Sequence, residues 1–250
     1  MHRTRQHSAL ETVRADGAAL LDIGAGLTED QWQAPSGCQG WRVQDVVTHL
    51  ANLFWILVEP TKLPPFDGVP TEQAQEAAVQ ARRGMTGAAA LADYKEAAGP
   101  ALEQLATLET LGVAVPLGDL GTYPAALLPT AFSFDHYTHI RADLFEPRGP
   151  LPGTPPPSDA ERLAPVLDWI EAALPQQNPA AAAACRLLLE VTGAGARSIS
   201  FGSGRPAATI RSDAPALVRW VTQRGGWAEL GVQATGDEEA LTAARALKVF

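Results

Sequence analysis

The sequence is poor in the features that mark several classes of protein. Of its 250 residues only two are cysteines, Cys38 and Cys185, too few for a disulfide framework. No stretch approaches the roughly 18 consecutive apolar residues of a membrane-spanning helix. The residues up to His7 lack the apolar run of a secretory signal. We therefore expect a cytoplasmic protein without membrane contact.

Positive charge is also scarce. The sequence has 19 lysines and arginines against 28 aspartates and glutamates, which gives a formal net charge of −9. Binding to nucleic-acid phosphates needs clustered cations, so this composition argues against a nucleic-acid partner. The hydrophobic fraction of 46% is that of an ordinary globular protein. The length allows one large domain or two smaller ones.

A proline-rich stretch is the clearest candidate boundary. Residues 147–157 contain six prolines in eleven positions, a composition that favours extended chain over helix. We predict a helical domain over residues 1–146, a linker over 147–160 and a second domain over 161–250.

The front part has the periodicity of a helical bundle. Apolar residues recur at helical spacing, and Thr71 is a suitable N-cap for one of the helices. Long helices with short connections are typical of an up-and-down four-helix bundle. The predicted helices cover residues 4–25, 43–58, 71–85, 88–110 and 125–146.

The back part mixes helices and strands. A helix over 161–174 is predicted to break at Pro175, and none of the glycine-rich pieces matches a nucleotide-binding fingerprint. The whole chain is therefore expected to be α+β. Short strands are predicted at 187–192, 198–201, 208–211 and 231–235, with helices at 214–223 and 237–247.

Histidine is rare, and its placement is informative. His2 and His7 lie at the terminus, where a chain tends to fray, so we do not expect them to form a site. Asp135 and His139 are four residues apart, about 40° from each other on an apolar helix face. Buried charges are costly unless they are paired or bound to a metal. Asp135 and His139 on this face therefore need either a paired group or a bound metal.

His49 lies at the border of the apolar stripe of the helix over 43–58, which antiparallel packing can bring against Asp135 and His139. Two imidazoles and one carboxylate leave open positions on a metal, as catalytic sites do. The residues also allow a simple hydrogen-bonded pair of Asp135 and His139, with His49 bonded to a carbonyl. His136 as a ligand in place of His139 is a further alternative.

The loop before that helix carries Cys38 and Trp41. No cation close in sequence favours a thiolate at Cys38. We therefore interpret Cys38 as a packing residue, in preference to a nucleophile or a fourth metal ligand. Trp41 is interpreted as an anchor for the start of the helix, and Cys185 as structural.

Two segments resemble a known family. Trp32, Pro35 and the run GWRVQDVVTHL over 40–50 resemble the signature W…P…GW-x-V-x-D-V-V-x-H-L of the mycothiol-dependent maleylpyruvate isomerase family. That family belongs to the DinB-like, metal-binding four-helix-bundle superfamily. The segment DHYTH over 135–139, with Asp143-Leu144, is similar to its second motif. The proline-rich linker and the α+β tail resemble its sterol-carrier-like C-terminal domain.

The resemblance implies a divalent metal, zinc in most members, held by His49, Asp135 and His139. The open position implies mycothiol or a similar thiol as cofactor, and a transferase or isomerase acting on a small electrophile. Two departures stand out. Asp135 replaces a glutamate, and Asp143 follows His139 one residue later than usual, which leaves the role of Asp143 open.

The family isomerase uses an arginine from its C-terminal domain, where an anionic substrate needs a cation. Of the candidates Arg211, Arg219 and Arg224, we favour Arg224 as the catalytic residue, because it lies in a turn from which it can reach the interdomain cleft. All three could equally be surface arginines.

Other functions of the same fold stay open. The chain could be a non-catalytic metal-binding, small-molecule-binding or regulatory protein, and a monomer or a homodimer. Because histidine ligands must be neutral, we expect metal loss as the pH falls through about 6.

Overall fold

The computed structural model describes residues 8–65 and 68–250. His2, His7 and the first residues of the helix predicted over 4–25 lie outside the described part. Among the described residues, no helix is long and apolar enough to cross a membrane.

The front part contains four helices that pack together, α1 (Ala9–Ala25), α3 (Val43–Val58), α5 (Gly87–Leu108) and α6 (Leu128–Thr138). A further helix, α4 (Thr71–Ala81), packs on α3. Their shared core places Val46, Leu50 and Phe54 of α3 entirely out of contact with solvent. These residues belong to the apolar stripe of the helix predicted over 43–58. The short helix α2 (Glu29–Gln33) precedes α3.

The helix predicted over 125–146 changes its winding part of the way along. A 3-10 turn (Ala125–Leu127) precedes α6, and a π-helical turn (His139–Leu144) follows it. A π-helical turn accommodates one extra residue per turn and often occurs at functional sites. Here it begins at His139 and includes Asp143. The ladder β1 (Ala114–Pro116) and β2 (Thr122–Pro124) lies before it.

The back part is a four-stranded sheet with helices on one face. The strand order is β4-β3-β5-β6, with β3 parallel to β5 and the other pairs antiparallel. Leu187, Leu189 and Val191 of β3 alternate inward, towards α7 and α9. The elements are α7 (Ala160–Gln177), α8 (Pro179–Ala184), β3 (Leu187–Thr192), β4 (Arg197–Phe201), β5 (Ala208–Asp213), α9 (Ala214–Val221), β6 (Gln233–Gly236) and α10 (Glu238–Arg245).

The two parts are joined by shared packing. Helix α7 packs on α6 and α1, and Phe134 and Tyr137 of α6 belong to the same core as the sheet. Fully buried Asp16 of α1 binds the guanidinium groups of Arg141 and Arg162. The chain is thus an α+β protein whose back part rests directly on the last bundle helix.

Two local predictions were wrong. Thr71 is the first helical residue of α4, not its N-cap, and its hydroxyl and amide bind Asp119 instead. Helix α7 continues through Pro175 to Gln177. Pro175 cannot donate a hydrogen bond to the carbonyl four residues earlier, and the helix ends two residues later.

Candidate metal centre

His49, Asp135 and His139 converge in the front part. They come from α3, α6 and the start of the π-helical turn, and one ligand atom from each lies within 4.8 Å of the others. The two imidazole rings are 4.7 Å apart, centroid to centroid. Both histidines are buried, at 6% and 7% exposure. The structure therefore brings together the three residues that the sequence singled out as ligands.

Burial shifts the pKa values of two members of this cluster, Asp135 and His49. It raises the pKa of Asp135 to about 6, even though the positive charges of His139 and Arg224 oppose the shift. It also lowers the pKa of His49 well below its usual value, and the charge of His139 lowers it further. At neutral pH this arrangement presents a carboxylate and a neutral imidazole, which are forms that bind a metal.

The other nitrogen of the His139 ring is held by a carboxylate. His139 Nδ1 donates to Asp143 Oδ2 over 2.8 Å, within the π-helical turn, and Asp143 is completely buried. Histidines that bind metals usually donate their second N–H to a carboxylate or a carbonyl. Asp143 follows His139 at the i,i+4 spacing of helix neighbours, so its carboxylate can hold the orientation of the His139 ring.

Arg224 reaches this carboxylate from the back part of the chain. Its Nε donates to Asp143 Oδ1 at 2.9 Å, and its Nη2 donates to Oδ2 at 2.6 Å. Despite burial, the hydrogen bonds and charges of His139 and Arg224 lower the pKa of Asp143. Arg219 pairs with Glu229, and Arg211 is exposed on β5. Arg224 is the one of the three candidate arginines that contacts the cluster.

Cys38 was only partly understood from the sequence. It packs against the front core as expected, but its Sγ also lies 3.1 Å from Asp143 Oδ2 and 3.4 Å from Arg224 Nη2. The same sulfur is 3.7 Å from His139 Nδ1. No cation lies close to Cys38 in the sequence, but the fold brings in Arg224, which is 186 positions later in the chain, and its Nη2 donates to the sulfur.

Cys38, His139 and Asp143 form a second cluster whose ligand atoms lie within 4.8 Å. The Arg224 guanidinium already donates to both Cys38 and Asp143. A metal ion placed there would meet this positive charge at close range, so electrostatics disfavour it. The first cluster is therefore the better metal centre.

His136 does not belong to either cluster. It is fully buried, accepts a hydrogen bond at Nε2 from the Tyr94 hydroxyl over 2.8 Å and donates from Nδ1 to the Phe132 carbonyl over 2.8 Å. Burial lowers its pKa to about 4. Because both ring nitrogens are engaged, the alternative in which His136 replaces His139 as a ligand is wrong.

Trp41 covers the two imidazoles. Its ring lies 5.2 Å from that of His49 and stacks at 6.3 Å on that of His139. Its indole N–H donates to Glu76 on α4 over 2.6 Å. Trp41 is thus a wall of the site, a role that its position before α3 did not predict.

The affinity of this cluster for a divalent metal is expected to fall as the pH falls, with a slope that changes near pH 6. Burial opposes protonation of His139, but Cys38 and Asp143 raise its pKa to about 10. A metal that binds here should therefore displace one proton between about pH 10 and 6, and its affinity should drop about tenfold per pH unit. Below about pH 6, protonation of Asp135 should steepen this to about 100-fold per unit.

Competition with a chelating dye between pH 5 and 9 measures both slopes. An affinity that stays constant from pH 6.5 to 9 would contradict the protonated state of metal-free His139. The sequence alone predicts a single loss of metal near pH 6. The two-slope dependence differs from it because the surroundings lower the pKa of His49 and raise that of His139.

Comparisons with known proteins agree with this architecture. The family described as the mycothiol maleylpyruvate isomerase N-terminal domain matches residues 13–145, just over half of the chain. A crystal structure of the mycothiol-dependent maleylpyruvate isomerase matches at 17% identity and a TM-score of 0.60, over 92% of each chain. A crystal structure of a histidine-to-alanine mutant of that isomerase matches at 16% identity and a TM-score of 0.59, also over 92% of each.

At these identities the two solved structures show a shared fold. None of the curated protein sequences gives a significant match. The family match includes Cys38, His49, Asp135 and His139 but ends before Arg224.

Proposed function

The chain belongs to the mycothiol maleylpyruvate isomerase family, and from this premise we propose that it is a metal- and thiol-dependent transferase or isomerase acting on a small electrophile. The observation that carries the proposal is the convergence of His49, Asp135 and His139 within 4.8 Å. A bundle that served only as a scaffold would not need these three polar groups together in its interior.

The donor set fits a divalent metal, and we propose zinc. Two imidazoles and one carboxylate are common zinc ligands, and three protein ligands leave a position for a further molecule. His139 has the carboxylate partner that a ligating histidine usually has. These features support His49, Asp135 and His139 as the ligands.

When bound, such a metal would lower the pKa of a coordinated thiol and so supply a thiolate near neutral pH. The cofactor we propose is mycothiol or a similar low-molecular-weight thiol. Asp143 keeps one proton of His139 on Nδ1, so Nε2 is the nitrogen that would lose its proton and coordinate the metal. Trp41 lies against both imidazole rings and would shield this side of the centre from water.

Arg224 is proposed to bind an anionic group of the electrophile. Its Nε and Nη2 are occupied by Asp143, whereas Nη1 donates only to the Thr222 carbonyl, over 3.2 Å, within the described residues. The side chain is 14% exposed. One face of the guanidinium is therefore fixed, and an Nη1 hydrogen remains for a carboxylate beside the metal centre.

The direct test is turnover by the zinc-loaded full-length chain. The assay combines mycothiol, or glutathione for comparison, with small unsaturated carboxylic acids that include maleylpyruvate. We expect turnover that requires both zinc and a thiol and that stops after chelation. Turnover without thiol would contradict the proposal. Stoichiometric zinc without turnover of any acid would favour the non-catalytic alternative.

A further inference from the structure

We propose that Gln75 of α4 positions His49 for metal binding by accepting a hydrogen bond from its Nδ1–H. The inference rests on the proposed function, since it concerns how one ligand of that metal centre is oriented. Gln75 would act through His49 and would not touch the metal.

Two unpaired buried atoms point to this hydrogen bond. Within the described part of the chain, His49 Nδ1 is buried without a hydrogen-bond partner, and so is Gln75 Oε1. One atom is a donor when the opposite ring nitrogen binds a metal, and the other can only accept. Leaving either buried atom unpaired is unfavourable, so joining them satisfies both.

The two side chains are neighbours. Helix α4 packs directly on α3, and the Gln75 side chain lies close enough to His49 to act on its pKa, which it raises against the dominant effect of burial. The Nε2 atom is not among the buried unpaired atoms. Because Nε2 is neither hydrogen-bonded nor fully buried in the described part of the chain, it is the ring nitrogen that remains accessible to a ligand.

Other polar groups near His49 are less suitable acceptors. Thr48 also has a buried unpaired oxygen, but adjacent residues on a helix point about 100° apart. Glu76, next to Gln75, already accepts from the Trp41 indole, and Asn52 Oδ1 accepts from Arg82. Gln75 is the acceptor that remains.

A hydrogen bond from Nδ1–H would fix both the tautomer and the orientation of the His49 ring. Nε2 would then keep its lone pair directed at Asp135 and His139. Loss of such an outer hydrogen bond typically weakens metal binding about 10- to 100-fold. Asp143 does the same for His139, so each histidine ligand would have its own orienting side chain.

The test compares three full-length variants by competition with a chelating dye at constant pH. Gln75→Leu removes the acceptor and should weaken zinc binding about 10- to 100-fold. Gln75→Glu keeps an acceptor and should bind at least as tightly as the wild type. Gln73→Leu, an exposed position on the same helix, should leave the affinity unchanged.

A second measurement does not depend on the folding of any variant. In the zinc-loaded wild type, nitrogen-15 NMR of the imidazoles should show a slowly exchanging His49 Nδ1–H. Its absence would overturn the inference, as would equal zinc affinity of wild type and folded Gln75→Leu. The proposed function would survive both results. A wild type that binds no zinc would overturn the inference and the proposed function together.

Discussion

His49→Ala and His139→Ala should each abolish stoichiometric zinc binding. A site with three protein ligands loses its chelate geometry when one is removed. We expect about one zinc per chain in the wild type and close to none in either variant, measured by elemental analysis of reconstituted, tag-free protein. Thiol-dependent turnover should disappear with the metal.

His136→Ala is the matched control, because His136 is equally buried and only three positions from His139. It should keep its zinc. It should also lower the free energy of unfolding by about 1–3 kcal/mol, since the Tyr94 hydroxyl and the Phe132 carbonyl lose a buried partner. Loss of zinc from folded His136→Ala, or its retention in His139→Ala, would contradict the assigned ligand set.

Asp143→Ala should have the largest effect on stability. The carboxylate is completely buried, and it is the acidic partner of Arg224, itself 14% exposed. Removing one member of a buried ion pair leaves the other charge uncompensated, which typically lowers the free energy of unfolding by about 3–5 kcal/mol. Because His139 also loses its orienting partner, zinc binding should weaken about 10- to 100-fold.

Urea denaturation of the metal-free protein separates the stability effect from metal binding. Asp168→Ala is the control, since Asp168 pairs with Arg197 at a more exposed site, where both side chains are at least 25% exposed. That variant should lose no more than about 1 kcal/mol. A similarly small loss in Asp143→Ala would show that the contact between the two parts of the chain contributes little to stability.

Local patterns were enough to predict most of the secondary structure. The bounds of α3 and β3 agree with the predictions, since each has a continuous apolar periodicity with clear ends. The i,i+4 spacing of Asp135 and His139 put them on one face without knowledge of any other helix. The proposed ligand set was therefore available from the sequence, since His49 lies at the border of an apolar stripe that can pack against this face, and the family resemblance implies the same three residues.

Contacts between distant segments could not be predicted in this way. Nothing near Cys38 in the sequence indicates that Arg224 and Asp143 surround its sulfur. The sequence does not distinguish His136 from His139 as a ligand. The fold does, because the hydroxyl of Tyr94 on α5 donates a hydrogen bond to Nε2 of His136. The π-helical winding of His139–Leu144 could not be predicted either, because the i,i+4 spacing of His139 and Asp143 is equally that of an ordinary helix.

The sequence by itself determined the helical front part, the strands of the back part and the faces on which the candidate ligands lie. Hydrophobic periodicity and side-chain spacing are properties of neighbouring residues, so they can be read along the chain. Only the tertiary structure decided which charges meet and what becomes of their pKa values. Burial and the charge of His139 lower the pKa of His49. His139 is buried too, but Cys38 and Asp143 beside it raise its pKa. Those environments are assembled from four or more separate segments, and their electrostatics exist only once the chain has folded.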